Sequence, residues 1–367
     1  MTLPDLICRD CGTVRAVQRP GWRCECGGLF DVAPPAPRLG IDPAARHRNS
    51  LWRYESVLPV AYDRSVSLGE GGTPLVASVL PNVRLKLDYL MPTLSFKDRG
   101  AVVLATLARR LGVRAALLDS SGNAGTAAAA YLARAGVPCR VYVPADTAPA
   151  KLAQMRAHGA EVIAAGTRAQ AGSAAQAAAE EPGMFYASHV FHPYFLHGVK
   201  TYGYELWEQC GNSLPETVVV PVGNGTLLLG VQLAFVELVD AGLAERMPTL
   251  VAVQAAGCAP MAAAFASGAA DGAVRSAPTV AEGIAIAAPP RAAQILAAVR
   301  ASGGAVVTVD DDEIRSARGE LAAAGLFVEP TAAVCWAAVR QRAGEVAALR
   351  GDDVVVPLCG AGLKQPD

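Results

Sequence analysis

Residues 114–143 read RAALLDSSGNAGTAAAAYLARAGVPCRVYV, and the punctuation of this stretch decides the fold. The apolar run 114–119 ends in the turn Ser120-Ser121-Gly122-Asn123-Ala124-Gly125. An alanine-rich segment, 126–134, then reads as a helix that Gly136 stops, and 139–143 is a second apolar run. A helix between two strands returns the chain to the same sheet edge, so the strands run parallel with a right-handed crossover. The pattern continues outward. Residues 148–158 read as a helix closed by Gly159, and 160–164 as a strand. Further on, strand 217–222, the turn 223–226 and helix 227–243 repeat the unit, and 250–254, 305–309 and 353–358 read as further strands. The fold class is therefore α/β with parallel sheets.

A chain of 367 residues predicts two or three domains at ~150 residues each. Hydrophobic residues make up 52% and charged residues 18%, enough apolar side chains for a buried core and too many for a disordered chain. The net charge of −1 argues against a nucleic-acid binder, which would carry a basic surplus. Mean hydropathy is +0.29, yet no apolar run reaches the ~18 residues a membrane span needs. The first residues show no secretory pattern, and five of the nine cysteines are scattered. Both features predict a reducing, cytoplasmic setting.

Residues 1–35 hold the other four cysteines. Cys8-x2-Cys11 and Cys24-x-Cys26 are each followed by glycine (Gly12; Gly27, Gly28), and Pro34-Pro35-Ala36-Pro37 closes the segment. Two such knuckles can present four thiolates to one tetrahedral zinc. A metal-free ribbon packed on the main body is the other reading.

Three places carry chemistry. Lys97, one of only five lysines, falls in Ser95-Phe96-Lys97-Asp98-Arg99-Gly100, just before the amphipathic run 101–111. A helix N-terminus disfavours a cation, so an amine there is predisposed to be neutral and nucleophilic; a solvated lysine at a helix start is the plain alternative. The turn 120–125 offers free N–H groups at the start of a helix, an anion site or an ordinary capped turn. Gly223-Asn224-Gly225-Thr226 has the same strand–turn–helix form. It lacks the third glycine of a dinucleotide fingerprint and the Lys of a P-loop, which suits a tightly held cofactor phosphate. Together the three point toward pyridoxal phosphate.

With these motifs in order, joined by Leu68-Gly69-Glu70-Gly71-Gly72-Thr73-Pro74-Leu75 and the terminal Cys359-Gly360-Ala361-Gly362-Leu363-Lys364, the chain resembles the threonine synthase family of pyridoxal-phosphate enzymes. The resemblance runs nearly end to end. It implies fold-type II (tryptophan synthase β-like) architecture, with two parallel-sheet α/β domains and a small N-terminal cysteine ribbon. The domains would be a zinc-ribbon-like segment 1–35 (Cys8, Cys11, Cys24, Cys26), a large cofactor-binding domain from 36–96 and 200–367, and a small domain 97–199. Lys97 would hold the cofactor through a Schiff base and shuttle protons. Asn123 would bond the ring's phenolic oxygen, and Gly223, Asn224, Gly225 and Thr226 would hold the phosphate. Cys359 would face the pyridine nitrogen, and Glu282 would lie near the cofactor. Cys359 stands where the family usually has Thr or Ser; a thiol is likewise a neutral, weak donor. A neutral partner leaves that nitrogen unprotonated and favours loss of a leaving group over transamination.

Ser120, Ser121, Gly122 and Ala124 would surround the substrate carboxylate, with His189 and Phe195 on the substrate side. Here the chain departs from the family. Three phosphate-binding types (Asn, Ser and Arg) are replaced by His189, Val190 and Phe195, and three of the five histidines fall within residues 189–197. His189, His192 or Lys200 would take over part of that work, and Arg at 195 would be expected to improve phosphate binding. Leu94 also replaces a customary glycine. The family reaction is O-phosphohomoserine plus water to threonine plus phosphate. The alternative is β-elimination or β-replacement on a serine, threonine or phosphoserine-like amino acid, as in dehydratases and cysteate synthases. A small-molecule amino-acid substrate, no nucleic-acid or membrane partner, and a homodimer complete the expectation.

Overall fold

The computed structural model describes residues 2–19, 21–33, 47–147, 149–270, 272, 274 and 276–365. The chain divides into two units, one formed by Met1–Gly71 and Lys97–Val199, the other by Gly72–Phe96 and Lys200–Asp367.

The first unit is built on four parallel strands in the order Glu161–Ala164, Cys139–Val143, Ala115–Asp119, Met184–Tyr186. The quoted stretch folds as its punctuation requires. Gly136 ends the helix Asn123–Ala135 at φ +70°, a conformation that glycine adopts without a Cβ clash. The helix Lys97–Leu111 packs against Asn123–Ala135 and against the short helix Tyr194–Val199. The close approach requires small residues. A Cβ on Gly100 would stand 2.4 Å from the Phe195 ring, and one on Gly198 only 2.1 Å from the Arg99 carbonyl oxygen. An antiparallel three-stranded ribbon, Leu6–Cys8 between Val14–Arg15 and Phe30–Val32, belongs to the same unit.

The second unit has six strands in the order Ala305–Val309, Thr249–Ala255, Thr217–Pro221, Val354–Pro357, Val83–Lys86, Leu75–Ala77, all parallel save the last. Val218, Val219 and Val220 are fully buried, as are Val354, Val355 and Val356. Interior parallel strands are covered on both faces, so they read as unbroken apolar runs rather than alternating ones. Each fully buried valine contributes roughly 1.5–3 kcal/mol relative to exposure.

Residues 47–71 group with the first unit, whereas the sequence division had assigned 36–96 to the cofactor-binding domain; 36–46 lie outside the described residues. Hydrogen bonds account for the difference. Leu51 N–H donates to the Glu70 carbonyl at 2.8 Å, and the Trp52 indole donates to the Glu70 carboxylate at 2.6 Å. Arg134, on the helix Asn123–Ala135, reaches the Ser67 carbonyl at 3.4 Å.

Candidate active site

In the second unit the glycine turn follows strand Thr217–Pro221 and opens the helix Thr226–Asp240. Gly225 caps that helix at φ +74°. Among the described residues, no hydrogen-bond acceptor is found for the backbone N–H groups of Gly223, Asn224, Gly225 and Thr226. A Cβ on Gly223 would lie 2.8 Å from Ile284 Cα, and one on Gly225 would lie 2.3 Å from Ile295 Cδ1. The turn is thus a cradle of unshared donors at the positive end of a helix, held in a shape only glycines permit. Glu282 is exposed and opens the one-turn helix Glu282–Ile284, the turn that Gly223 packs against.

The neighbouring strand Val354–Pro357 pairs with the register Thr217↔Val354 and Val218↔Val355. Continued, that register sets Cys359 opposite Val222, just before the cradle. The chain leaves Thr217–Pro221 for Thr249–Ala255 on one side and returns at Val354–Pro357 on the other. Ligands of parallel sheets bind at such switch points, beyond the carboxyl ends of the strands. Cys359 is buried, and its carbonyl accepts the Phe96 N–H at 3.0 Å. Ser95 bridges Gly360, and Ala361 N–H donates to the Leu94 carbonyl at 3.1 Å. The peptide that leads into Lys97 is therefore strapped to the segment carrying Cys359. The Ser95 hydroxyl there is buried and has no hydrogen-bond partner among the described residues. Leu94 holds φ +64°, where glycine is free and a leucine side chain costs about 1–2 kcal/mol. This is the backbone reason for the glycine the family prefers.

Glu329 is the residue the sequence analysis missed here. It is buried, its N–H donates to the Gly360 carbonyl at 3.0 Å, and a Cβ on Gly360 would stand 2.2 Å from its carboxylate. The signal was present: Glu329-Pro330 opens the helix Pro330–Arg342 with proline in its first turn.

In the first unit Lys97 is the first residue of the helix Lys97–Leu111 and is half-buried. Two other lysines are engaged elsewhere. Lys86 Nζ donates to Thr73, Glu205 and Gln209 at 2.6–2.9 Å, and buried Lys200 pairs with Glu237 at 2.8 Å. Lys200 is thereby removed from the compensating role expected of it. The turn Ser120–Asn123 follows strand Ala115–Asp119. Gly122 caps the helix Asn123–Ala135, and its N–H donates to the Ser120 hydroxyl at 3.3 Å. Ser120, Ser121, Gly122 and Asn123 are all partly exposed.

Ala124, His189 and Phe195 line one small cavity of about 10 Å³ with Ala101, Leu104 and Leu118. The sequence analysis assigned the first three to the substrate side, and the fold brings them together. His189 Nδ1 has no partner among the described residues. Burial, aided by the positive charges of Lys97 and Arg168, pushes the imidazole down to about 3, so it is neutral at physiological pH. Arg168, passed over in the sequence, is a second positive charge felt by His189 after Lys97. Phe195 is 2% exposed and packs on Gly100, which corrects the expectation about arginine at 195. A guanidinium there would be buried among Ala101 and Leu104, in a cavity whose lining residues include no carboxylate. Phe195→Arg is expected to destabilise the protein by about 3 kcal/mol or more. Thermal unfolding checks this, and an unchanged midpoint with tighter binding of phosphorylated substrate would restore the sequence expectation.

His189 also predicts a pH dependence. The unfolded imidazole takes up its proton near pH 6.5 and the folded one near 3. In between, the unfolded chain binds more protons. The stability that this residue contributes is complete above about pH 6.5 and is lost progressively as pH falls toward 3. Urea midpoints between pH 7 and 4 should fall more steeply for the wild type than for His189→Gln, and parallel curves would refute the assignment.

The sulfur atoms of Cys8, Cys11, Cys24 and Cys26 lie within 4.8 Å of one another, a set able to hold a metal. Among the described residues, no helix is long and apolar enough to cross a membrane.

The sequence pattern of the pyridoxal-phosphate dependent enzyme family matches residues 66–360. The chain belongs to that family. Its cofactor is pyridoxal 5'-phosphate, and the cradle, whose donors have no acceptor among the described residues, fits the phosphate. The threonine synthase of Methanocaldococcus jannaschii is 34% identical over 98% of this chain and 93% of its own length. That of Mycobacterium tuberculosis is 33% identical over 90% and 93%. Among solved structures, a T.th. threonine deaminase is 28% identical with a TM-score of 0.67, covering 79% of this chain and 92% of its own. A fungal L-serine ammonia-lyase from Rhizomucor miehei, 22% identical with a TM-score of 0.69, covers 79% and 93% and shares the fold. The chain is a pyridoxal-phosphate-dependent lyase of threonine synthase-like type.

Proposed function

We propose that this enzyme eliminates phosphate from the γ-carbon of O-phosphohomoserine and adds water across the remaining carbons, the hydroxyl going to the β-carbon and a proton to the γ-carbon, giving threonine and phosphate. The observation that carries the reading is similarity to threonine synthases over 98% of the chain, set beside a lysine at a helix start and a glycine cradle of unshared donors. Bound pyridoxal phosphate supplies an electron sink that stabilises negative charge at the substrate's α-carbon. The chain's own residues do the rest. Gly223, Asn224, Gly225 and Thr226 grip the cofactor phosphate through backbone N–H groups. Asn123 orients the ring, and Glu282 borders it. Cys359 would offer its nitrogen a neutral neighbour, so less negative charge is drawn into the ring and more remains on the substrate to expel the γ-phosphate once a proton has also left the β-carbon. The turn at Ser120, Ser121, Gly122 and Ala124 binds the substrate carboxylate at the start of a helix. Lys97 anchors the cofactor, takes the α-proton as a free amine and returns a proton as the product forms. His189, neutral, hydrogen-bonds the substrate side, and Phe195 shapes that wall from within the core. The units act as a cofactor-binding and a substrate-side domain in a cytoplasmic homodimer, a setting that suits nine cysteines without a disulfide.

One observation favours a second reading. Neutral His189 and buried Phe195 supply no charge for a phosphate dianion, which suits β-elimination or β-replacement on a serine- or threonine-like amino acid. Incubation with O-phosphohomoserine should release threonine and phosphate in equal amounts. Release of ammonia and a keto acid from serine or threonine, with no turnover of O-phosphohomoserine, would replace the first reading with the second.

A further inference from the structure

The ribbon has almost no core of its own. Its strands are two or three residues long, and Leu6, Cys8, Val17, Phe30 and Val32 are its buried apolar residues. So small an element usually needs a cross-link or a metal to hold its shape. Cys8 Sγ lies 3.5 Å from Cys26 Sγ, and Cys11 Sγ lies 3.6 Å from Cys24 Sγ. Disulfide sulfurs would be about 2.05 Å apart. Four thiolates at about 2.3 Å from one tetrahedral zinc are instead separated by roughly 3.8 Å. The knuckle backbones conform. Gly12 N–H donates to the Cys8 carbonyl at 3.0 Å and Gly27 N–H to the Cys24 carbonyl at 2.8 Å, with both glycines at positive φ, +73° and +87°. A Cβ on Gly28 would stand 2.7 Å from Cys8 Sγ, so a bare Cα is what lets the second knuckle close on the first.

We propose that Cys8, Cys11, Cys24 and Cys26 bind a single structural Zn²⁺, and that the metal-set ribbon braces the segment 186–194, which carries His189. Soft thiolates in a closed four-ligand set select zinc and leave no open position for catalysis. The brace follows from what the ribbon touches. Trp22, two residues before Cys24, packs on Phe191 at 4.8 Å and edge-on to Tyr186 at 5.5 Å. The Arg23 guanidinium lies 4.8 Å from the Trp22 ring centre and 5.1 Å from that of Phe191. The Tyr194 hydroxyl donates to the Pro4 carbonyl at 2.8 Å. Binding free energy at such a site is folding free energy, so loss of the ion releases these contacts together. A substrate role for His189 rests on the function proposed above, whereas the metal and the brace do not.

The test uses the full-length protein. Elemental analysis should find one zinc per chain, released by an organomercurial thiol reagent and read with a chromogenic zinc chelator. Cobalt in its place should give the visible bands of a tetrahedral tetrathiolate. Cys11→Ser with Cys26→Ser should cut bound zinc at least fivefold. In the zinc-stripped wild type, hydrogen exchange at 186–194 should accelerate at least tenfold while 218–230 stays protected. A zinc content below 0.2 per chain after reconstitution, stoichiometric iron, or a Cys8–Cys26 disulfide in the native protein would overturn the metal site. Unchanged exchange at 186–194 after stripping would overturn the brace. Neither readout depends on turnover, so failure here is distinct from failure of the proposed reaction.

Discussion

Lys97→Ala protein should turn over its substrate on the order of 10⁴-fold more slowly than the wild type, the upper range for a positioned proton-transfer group, and more slowly still because the same amine is the covalent anchor. Added pyridoxal phosphate should bind only reversibly and be lost on dialysis. The effect is large because the two fully buried lysines of the second unit are already committed to other partners. Lys86 directs its three donors to Thr73, Glu205 and Gln209, and Lys200 is paired with Glu237. Stability should change little, since Lys97 is a half-buried first residue of its helix. Far-ultraviolet circular dichroism and thermal unfolding would separate lost chemistry from a lost fold. Turnover within tenfold of the wild type would contradict the role.

The second large effect is expected at the cradle. Gly225→Ala places a Cβ on a residue held at φ +74°, 2.3 Å from the tip of Ile295. The left-handed backbone alone costs about 1–2 kcal/mol with a side chain. The Ile295 tip can yield, but the turn then shifts and its N–H groups leave the phosphate. Cofactor affinity should fall by roughly 10–100-fold, with the maximal rate at saturating cofactor much less affected. Titration of the stripped enzyme by absorbance reads this directly. Equal affinity in the two proteins would mean that the turn does not hold the phosphate.

Much of this was legible in the sequence, for physical reasons. Strands 139–143 and 305–309 carry the bounds read from their runs: the first is an interior strand buried along most of its length, and the second, though at the sheet's edge and only half-buried, is marked by the β-branched run Val306-Val307-Thr308-Val309. The helix Asp311–Ala323 escaped notice although Asp310 and Glu313 form a capping box at its start. Strand Val83–Lys86 was hidden by a lysine that reads as surface. Its buried partner, Glu205, lies 119 residues away, and no local pattern announces such a pair. The neutrality of His189 depends on burial and on charges from Lys97 and Arg168, both distant in the chain. The core position of Phe195 is set by Gly100, whose missing side chain makes room for the ring. Leu94 was visible as a departure from the family, yet only the backbone reveals that it is a departure in conformational freedom.

The central claim is that Lys97 carries the cofactor. Borohydride reduction of the native holoenzyme, followed by proteolysis and mass mapping, tests it most directly. The account predicts a single pyridoxyl-modified peptide, with the modification on Lys97. A modification on Lys86, Lys151, Lys200 or Lys364, or none at any lysine of a fully loaded enzyme, would contradict it.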